Sequence, residues 1–299
     1  MKKLLLIINP RAGKLKAKSA LLDIITILGK SYLVCVRVTE YRGHATELAR
    51  EAGDYDLLVC SGGDGTLNEV IAGVLSGGLS IPIGYIPSGT TNDFAATLGL
   101  PTDPVKAAQL ILKGEAQPFD IGRFDERYFT YIASFGMFAN VSYDTPQNLK
   151  NSLGHLAYLL EGVKGLHEIH AEHLKIETDD TVFEDDFLFG AVSNSTSIGG
   201  VITLKPTLVD MRDGRFELLL IRMPKNLVQL HSCVRALSAQ SYNNDSIIFT
   251  NTKNLRVTSD QALDWSLDGE KATMGQVVDI RNLHRAVRVL TPKAPAAKE

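Results

Sequence analysis

The chain predicts a two-domain protein: an α/β domain with a mostly parallel sheet and flanking helices, followed by an antiparallel β-sandwich. Three observations lead there. Over residues 1–124, short apolar runs alternate with amphipathic segments. Each glycine-rich turn in that stretch falls at the carboxyl end of an apolar run. After Asp120-Ile121-Gly122, strand-like runs follow one another with only two helical patterns between them.

In order along the chain, Leu4–Ile8 is the continuous apolar run of a strand buried on both faces of a parallel sheet. Lys16–Leu28 places Leu21, Ile24, Ile25 and Leu28 at helical spacing. Tyr32–Val38 is β-branched and strand-like, and Ala45–Ala52 is a short helix after Gly43. Then come strand Asp56–Cys60, helix Leu67–Leu75, strand Ile81–Ile86, the polar loop Pro87–Asn92, and a helix over Val105–Leu112 opened by Asp103-Pro104. In the second region, strands are expected at Tyr128–Ala133, Leu174–Glu177, Phe187–Ser193, Arg215–Ile221, Ser246–Phe249, Leu255–Ser259, Val277–Ile280 and Ala286–Leu290. Helices are expected at Leu153–Leu166 and Asn226–Ser238. The domains divide as 1–124 and 125–282, with residues 283–292 expected to return to the first and 293–299 forming a disordered tail.

With 299 residues, 44% apolar and 22% charged, the chain has the composition of a soluble globular protein with room for a full core. A net charge of −3 supplies no global field for nucleic acid, so no nucleic-acid partner is expected. No apolar stretch at the start is long enough to span a bilayer or serve as a secretory signal. Cys35, Cys60 and Cys233 are few, odd in number and widely spaced, which favours a reducing compartment and a cytoplasmic location.

The chemistry concentrates in three turns that the predicted topology brings to one sheet edge, where ligands bind in such folds. Ser61-Gly62-Gly63-Asp64-Gly65-Thr66 stands between a buried strand and a helix. Glycines there suit amides wrapped round phosphate oxygens, and the carboxylate among them calls for a divalent cation between it and the phosphates. Asn9-Pro10-Arg11-Ala12-Gly13-Lys14 offers a turn, cations and main-chain donors. Pro87-Ser88-Gly89-Thr90-Thr91-Asn92-Asp93-Phe94 adds small hydroxylic residues. Neither the dinucleotide fingerprint nor the P-loop follows the first strand, and the protein-kinase loop set is absent. Further on, Leu267-Asp268-Gly269-Glu270 reads, on spacing alone, as a hairpin turn with an exposed glutamate. Asp210-Met211-Arg212-Asp213-Gly214-Arg215 reads as an Asp-Gly turn between strands.

Gly62-Gly63-Asp64-Gly65-Thr66 with Asn68-Glu69-Val70, Asn9-Pro10 with Gly13-Lys14, and Ser88-Gly89-Thr90-Thr91-Asn92-Asp93-Phe94-Ala95 resemble the diacylglycerol kinase catalytic-domain family, in its bacterial soluble lipid-kinase branch. The first element is shared with NAD kinases and phosphofructokinase-like folds; Gly-Thr-x-Asn-Asp-Phe is more selective for lipid kinases. The resemblance covers essentially the whole chain. It implies an NAD-kinase/phosphofructokinase-like first domain and transfer of the γ-phosphoryl group of ATP to a primary hydroxyl of diacylglycerol or a related lipid.

The resemblance also assigns residues. Asn9, Pro10, Arg11, Ala12, Gly13, Lys14, Thr39, Gly62, Gly63, Asp64, Gly65, Thr66, Leu67, Asn68, Glu69, Thr90, Asn92 and Asp93 are expected around ATP, in a cleft between the domains. Asp64, Asp93 and Asp120 are expected as an acidic cluster that handles Mg²⁺. Glu270 would be the general base, with Asp268 and Asp64 beside it in the catalytic set. The loop with Asp210, Asp213 and Arg215 is expected to hold a structural Mg²⁺ through the Asp213 carboxylate and the carbonyls of Asp210 and Arg215. Asn194-Ser195 and Gly199-Gly200 match a family loop expected to line the cleft. Ala96 stands where members often carry arginine, and Arg11 and Lys14 are the substitutes. The lipid substrate implies peripheral contact with the inner face of the membrane; a homodimer is allowed. The alternatives are an NAD kinase-type enzyme and a non-catalytic lipid-binding protein. His167, His170 and His173, at helical spacing, carry no zinc motif, and Trp265 is expected in the core.

Overall fold

A computed structural model describes residues 1–13, 19–89, 92–136, 170–198 and 202–293. The expected Leu153–Leu166 helix, Lys14, Thr90, His167, Gly199-Gly200 and the last six residues lie outside the described residues. The chain divides into two compact units, Met1–Asp120 with Arg285–Glu299, and Ile121–His284.

The first unit is built on β1 (Lys2–Ile8), α1 (Leu21–Leu28), β2 (Tyr32–Val38), α2 (His44–Arg50), β3 (Leu57–Gly62), α3 (Asp64–Ser76), β4 (Pro82–Pro87), α4 (Asp93–Thr97) and α5 (Pro104–Lys113). β1 lies between β2 and β3, and β4 pairs with β3, all parallel. Leu4, Leu6 and Ile8 meet Ile24 and Leu28 of α1 and Ala107, Ala108 and Ile111 of α5 in one core cluster. Leu5 and Ile7, pointing to the other face, are also buried. Both faces are therefore covered, which is why the strand reads as an unbroken apolar run. α5 begins where Asp103 accepts the Lys106 amide at 2.9 Å, with Pro104 in its first turn. α4 was not foreseen: it is five residues long, too short for a periodic signal.

The second unit contains the end of β5 (Glu115–Phe124), then β6 (Arg127–Phe129), β7 (Ile132–Gly136), β8 (Glu172–Thr178), β9 (Val182–Ser193), β10 (Ser197–Ile198), β11 (Ile202–Thr203), β12 (Phe216–Arg222), α6 (Leu227–Ser238), β13 (Ile247–Thr252), β14 (Asn254–Ser259), β15 (Leu263–Leu267), β16 (Glu270–Met274) and the start of β17 (Val277–Thr291). Its pairings are antiparallel: β7, β8 and β12 all pair with β9, and β14 pairs with β8 and β17. One apolar cluster centres on Trp265, fully buried with Phe124 and Phe135 ring centroids 4.9 Å and 5.0 Å away. A second cluster joins Leu219 and Ile221 of β12 to Leu230, Cys233 and Leu237 of α6. The expected fold class is therefore the observed one: a largely parallel sheet with flanking helices, then an antiparallel β-sandwich.

Three local expectations need correcting. Tyr128–Ala133 is two strands, β6 and β7, broken at Thr130-Tyr131. Val277–Ile280 and Ala286–Leu290 are one strand, β17, whose residues Arg288 and Val289 pair with Pro82 and Ile83 of β4. His173 lies in β8 and pairs with Asp186 at 2.9 Å, so the three histidines do not share a helix face.

Candidate active site

In the first unit, four strand ends are tied together by three main-chain bonds. The Asn9 amide donates to the Ser61 carbonyl at 2.9 Å, the Ser88 amide to Gly62 at 2.7 Å, and the Thr39 amide to Ile8 at 2.9 Å. These bonds place the turns after β1, β2, β3 and β4 side by side. Two glycine positions show how tightly they pack. Gly13 has φ +64, and a Cβ on it would lie 1.9 Å from the Ser88 carbonyl oxygen. A Cβ on Gly89 would lie 2.6 Å from the Gly63 Cα, so no side chain fits between the second and third turns.

The polar side chains of these turns are used mainly for construction. Asn9 Nδ2 donates to the Thr66 hydroxyl at 2.9 Å while its Oδ1 accepts the Arg11 amide. Asn92, at φ +55, bonds both the amide and the carbonyl of Gly89 at 2.9 Å. Asp64 accepts the Asp93 and Phe94 amides at 3.1 and 3.4 Å, joining the β3–α3 turn to α4. Burial pushes the Asp64 carboxyl above its ordinary range, and those amides draw it partly back. What remains for a ligand is main chain. The first-turn amides of α3 have no helical carbonyl, and the helix dipole adds positive potential where Gly63 caps it.

Several residues expected at the site also hold the fold together. Glu69 accepts the Gly43 amide at 2.8 Å and the Ala45 amide at 3.2 Å, clamping the start of α2. Leu67 is fully buried and its amide donates to Gly63, so it serves the core. Asp120 is fully buried and accepts the Arg285 amide at 2.6 Å. Among the described residues no three His, Cys, Asp or Glu side chains group closely enough to share a metal ion. Asp64 and Asp120, expected with Asp93 in an acidic cluster, each accept backbone amides. Pro10 and Ala12 lie on the first turn; Arg11 and Ala96 are exposed.

In the second unit, Asp268 and Gly269 form the two-residue turn between β15 and β16, with φ +49 and +84. The turn reading and the motif reading coincide here. Asp268 is buried and accepts three successive amides, Thr130 at 2.6 Å and Tyr131 and Ile132 at 3.0 Å each. That anchor is why the chain breaks between β6 and β7. It fixes the hairpin that presents Glu270, whose side chain is 37% exposed and lies 3.9 Å from Arg127 Nη2. Asp268 acts by positioning, whereas Glu270 is accessible to a reactant.

The loop before β12 holds Asp210, which accepts the Arg212 amide at 3.0 Å, and Asp213, which accepts the Arg215 amide at 2.8 Å. Behind it stands Glu217, a carboxylate that sequence reasoning passed over. It is 1% exposed, and its Oε2 has no hydrogen-bond partner among the described residues. Burial pushes its carboxyl up to about 8, and Asp213 and Asp210 add to the shift. An orphaned carboxylate oxygen behind an all-oxygen donor set fits a hard cation such as Mg²⁺. The only sequence signal was one acid within the apolar run Phe216–Ile221.

Amides gathered at parallel strand ends, with a presented carboxylate in a separate β unit, define a phosphoryl-transfer protein. Residues 3–124 match the Diacylglycerol kinase catalytic domain, and residues 132–291 match the YegS C-terminal NAD kinase beta sandwich-like domain. The chain is 34% identical to the diacylglycerol kinase of Bacillus subtilis (strain 168) over 302 residues, spanning 99% of this chain and 98% of that one. It is equally 34% identical to the diacylglycerol kinase of Staphylococcus aureus (strain MRSA252), over 96% and 91% of the two chains. The crystal structure of a diacylglycerol kinase from Bacillus anthracis str. Sterne shares the fold, with a TM-score of 0.76 at 22% identity over 98% of this chain and 97% of that one. The protein belongs to the diacylglycerol kinase family and is a kinase.

Proposed function

We propose that this protein transfers the γ-phosphoryl group of ATP to the primary hydroxyl of diacylglycerol at a membrane surface. The observation that carries this reading is the gathering of three glycine-bearing turns at the ends of β1, β3 and β4, with Asn9, Asp64 and Asn92 spent on bonds within and between them and the first-turn amides of α3 left without helical partners. Those amides bind the triphosphate. Asp64 keeps the β3–α3 turn and α4 together, so the amides are fixed before nucleotide arrives. Glu270 accepts the proton of the attacking hydroxyl, and Asp268 holds the hairpin that aims it. The transition state of phosphoryl transfer is loose, so positioning the hydroxyl contributes alongside proton removal.

The Asp213 carboxylate and the carbonyls of Asp210 and Arg215 would hold a structural Mg²⁺, with Glu217 behind them. Mg²⁺ bound with the nucleotide supplies charge neutralisation at the phosphates. Among the described residues no helix is long and apolar enough to cross a membrane, so the lipid is reached by peripheral contact.

The test is incubation of the purified protein with ATP labelled at the γ-phosphate, Mg²⁺ and diacylglycerol in mixed micelles, with NAD in a parallel reaction. Label in phosphatidate is the expected result. Label passing to NAD, or to neither acceptor, would overturn the reading.

A further inference from the structure

α6 is the single α-helix among the described residues of the second unit, and its outer surface is unusual for a protein of net charge −3. At 100° per residue, Leu227, Ser238, His231, Arg235 and Val228 fall within an arc of about 100°. All five are exposed. Leu230, Cys233 and Leu237 occupy the opposite arc and are buried against β12 and its neighbours. The two edges of the solvent arc are therefore apolar, Leu227 and Val228 at 49% and 77% exposed, with a histidine and an arginine between them. Among the described residues these two are the only large exposed apolar side chains adjacent in sequence. Scattered single exposures need no explanation, whereas a paired one flanked by cations calls for a partner.

The helix and its flanking segments carry charge of one sign in sequence, with Asp185 and Asp245 at the foot engaging Arg222. Residues 218–244 contain Arg222, Lys225 and Arg235 and no Asp or Glu. Arg222 is engaged at the foot of the helix by Asp185 at 3.0 Å and by the Asp245 carbonyl at 2.8 Å. Lys225 and Arg235 form no ion pair among the described residues. The tip is also ordered in advance. Asn226 Oδ1 accepts the Gln229 amide at 2.9 Å, and Gln229 Oε1 accepts the Lys225 amide at 2.8 Å, so Leu227 and Val228 stand on a fixed first turn.

From these observations we infer that the exposed face of α6 is the surface by which this protein rests on an anionic lipid bilayer. Leu227 and Val228 enter the boundary between headgroups and acyl chains, while Lys225 and Arg235 meet lipid phosphates. Apolar insertion with basic flanks is the signature of a helix lying in the interface, and residues 218–244 add no acid of their own to repel an anionic surface. The inference rests on the reading of the protein as a kinase of membrane lipids and adds the place of contact.

The experiment is co-sedimentation of the full chain with vesicles of phosphatidylcholine containing phosphatidylglycerol, and with pure phosphatidylcholine, without ATP or diacylglycerol. In parallel, turnover is measured on a water-soluble short-chain diacylglycerol. The wild type is expected to bind the anionic vesicles in a salt-sensitive way. The Leu227→Ser/Val228→Ser variant is expected to bind at least about tenfold more weakly. Neutralising Lys225→Gln/Arg235→Gln is expected to cost about 25-fold, roughly fivefold per cation. Neither pair should change turnover on the soluble substrate. The inference is overturned if the wild type ignores anionic vesicles, if both variants bind as the wild type does, or if the apolar variant only dissolves a protein dimer. Should the kinase reading itself be wrong, the soluble substrate gives no turnover while vesicle binding still reports on the helix.

Discussion

The β3–α3 turn and the β15–β16 turn each set an aspartate beside glycine, and they use it to different ends. Asp64 is partly exposed and draws in the amides of α4, so the turn it serves presents main chain to a ligand. Asp268 is buried and draws in three amides from the β6–β7 junction, so the turn it serves presents the neighbouring Glu270. In both turns the aspartate is a building element, and in the proposed function its neighbours face the reactants. An acid within a glycine-rich motif is thus not by its presence a group that meets substrate.

The comparison is sharpened most by Glu270→Gln. It is expected to lower phosphoryl transfer by about 10²–10⁴-fold, the usual contribution of general acid–base catalysis, with ATP binding unchanged. Steady-state kinetics with nucleotide titration check both halves. Asp268→Ala, by contrast, is expected to act on stability. Three amides would lose a charged acceptor, costing about 3 kcal/mol and lowering the melting temperature by roughly 6–12 °C in calorimetry. A Glu270-like loss of rate with no loss of stability would break the distinction. Chelating the proposed structural cation is expected to come next. A metal present at about 100 times its dissociation constant stabilises by about 2.7 kcal/mol, and Asp213→Ala should remove that increment from the melting curve.

Gly13→Ala is smaller and local to the first unit. The new methyl would meet the Ser88 carbonyl at an unfavourable φ, and the turn must move. ATP affinity is expected to fall by about tenfold, or 1.4 kcal/mol, read by calorimetric titration. The smallest effect concerns Asp179, far in sequence from either motif. Burial pushes its carboxyl up, but donors from Asn254, Lys253 and Thr252 outweigh that and hold it at about 2. Its folded value therefore lies below the ordinary 3.8, so its contribution is complete above 3.8 and is lost as pH falls through 2. Melting temperatures of wild type and Asp179→Asn should converge across that window.

What could be read from the chain follows from how each feature is encoded. The alternation of Leu4–Ile8, Asp56–Cys60 and Ile81–Ile86 with helical segments was legible, because strands buried on both faces are written as unbroken apolar runs. The glycine turns were legible because close backbone approach requires that residue. The jobs of the acids within them were not. The structural bonds of Glu69 and Asp120 to the amides of Gly43 and Arg285 were not legible, since no local pattern records a bond across 165 positions. The break at Thr130 has the same origin, since its cause is Asp268. Glu217 was hidden for the opposite reason: its strand is so apolar that one acid reads as noise.

The most direct test of the central claim is hydrogen exchange of the backbone amides with and without ATP and Mg²⁺. That claim assigns nucleotide binding to the turns of the first unit. The account predicts slowed exchange in residues 9–13, 62–66 and 88–89, in the wild type and in Glu270→Gln alike. Protection confined to the second unit, or protection in those turns that vanishes with Glu270→Gln, would contradict it.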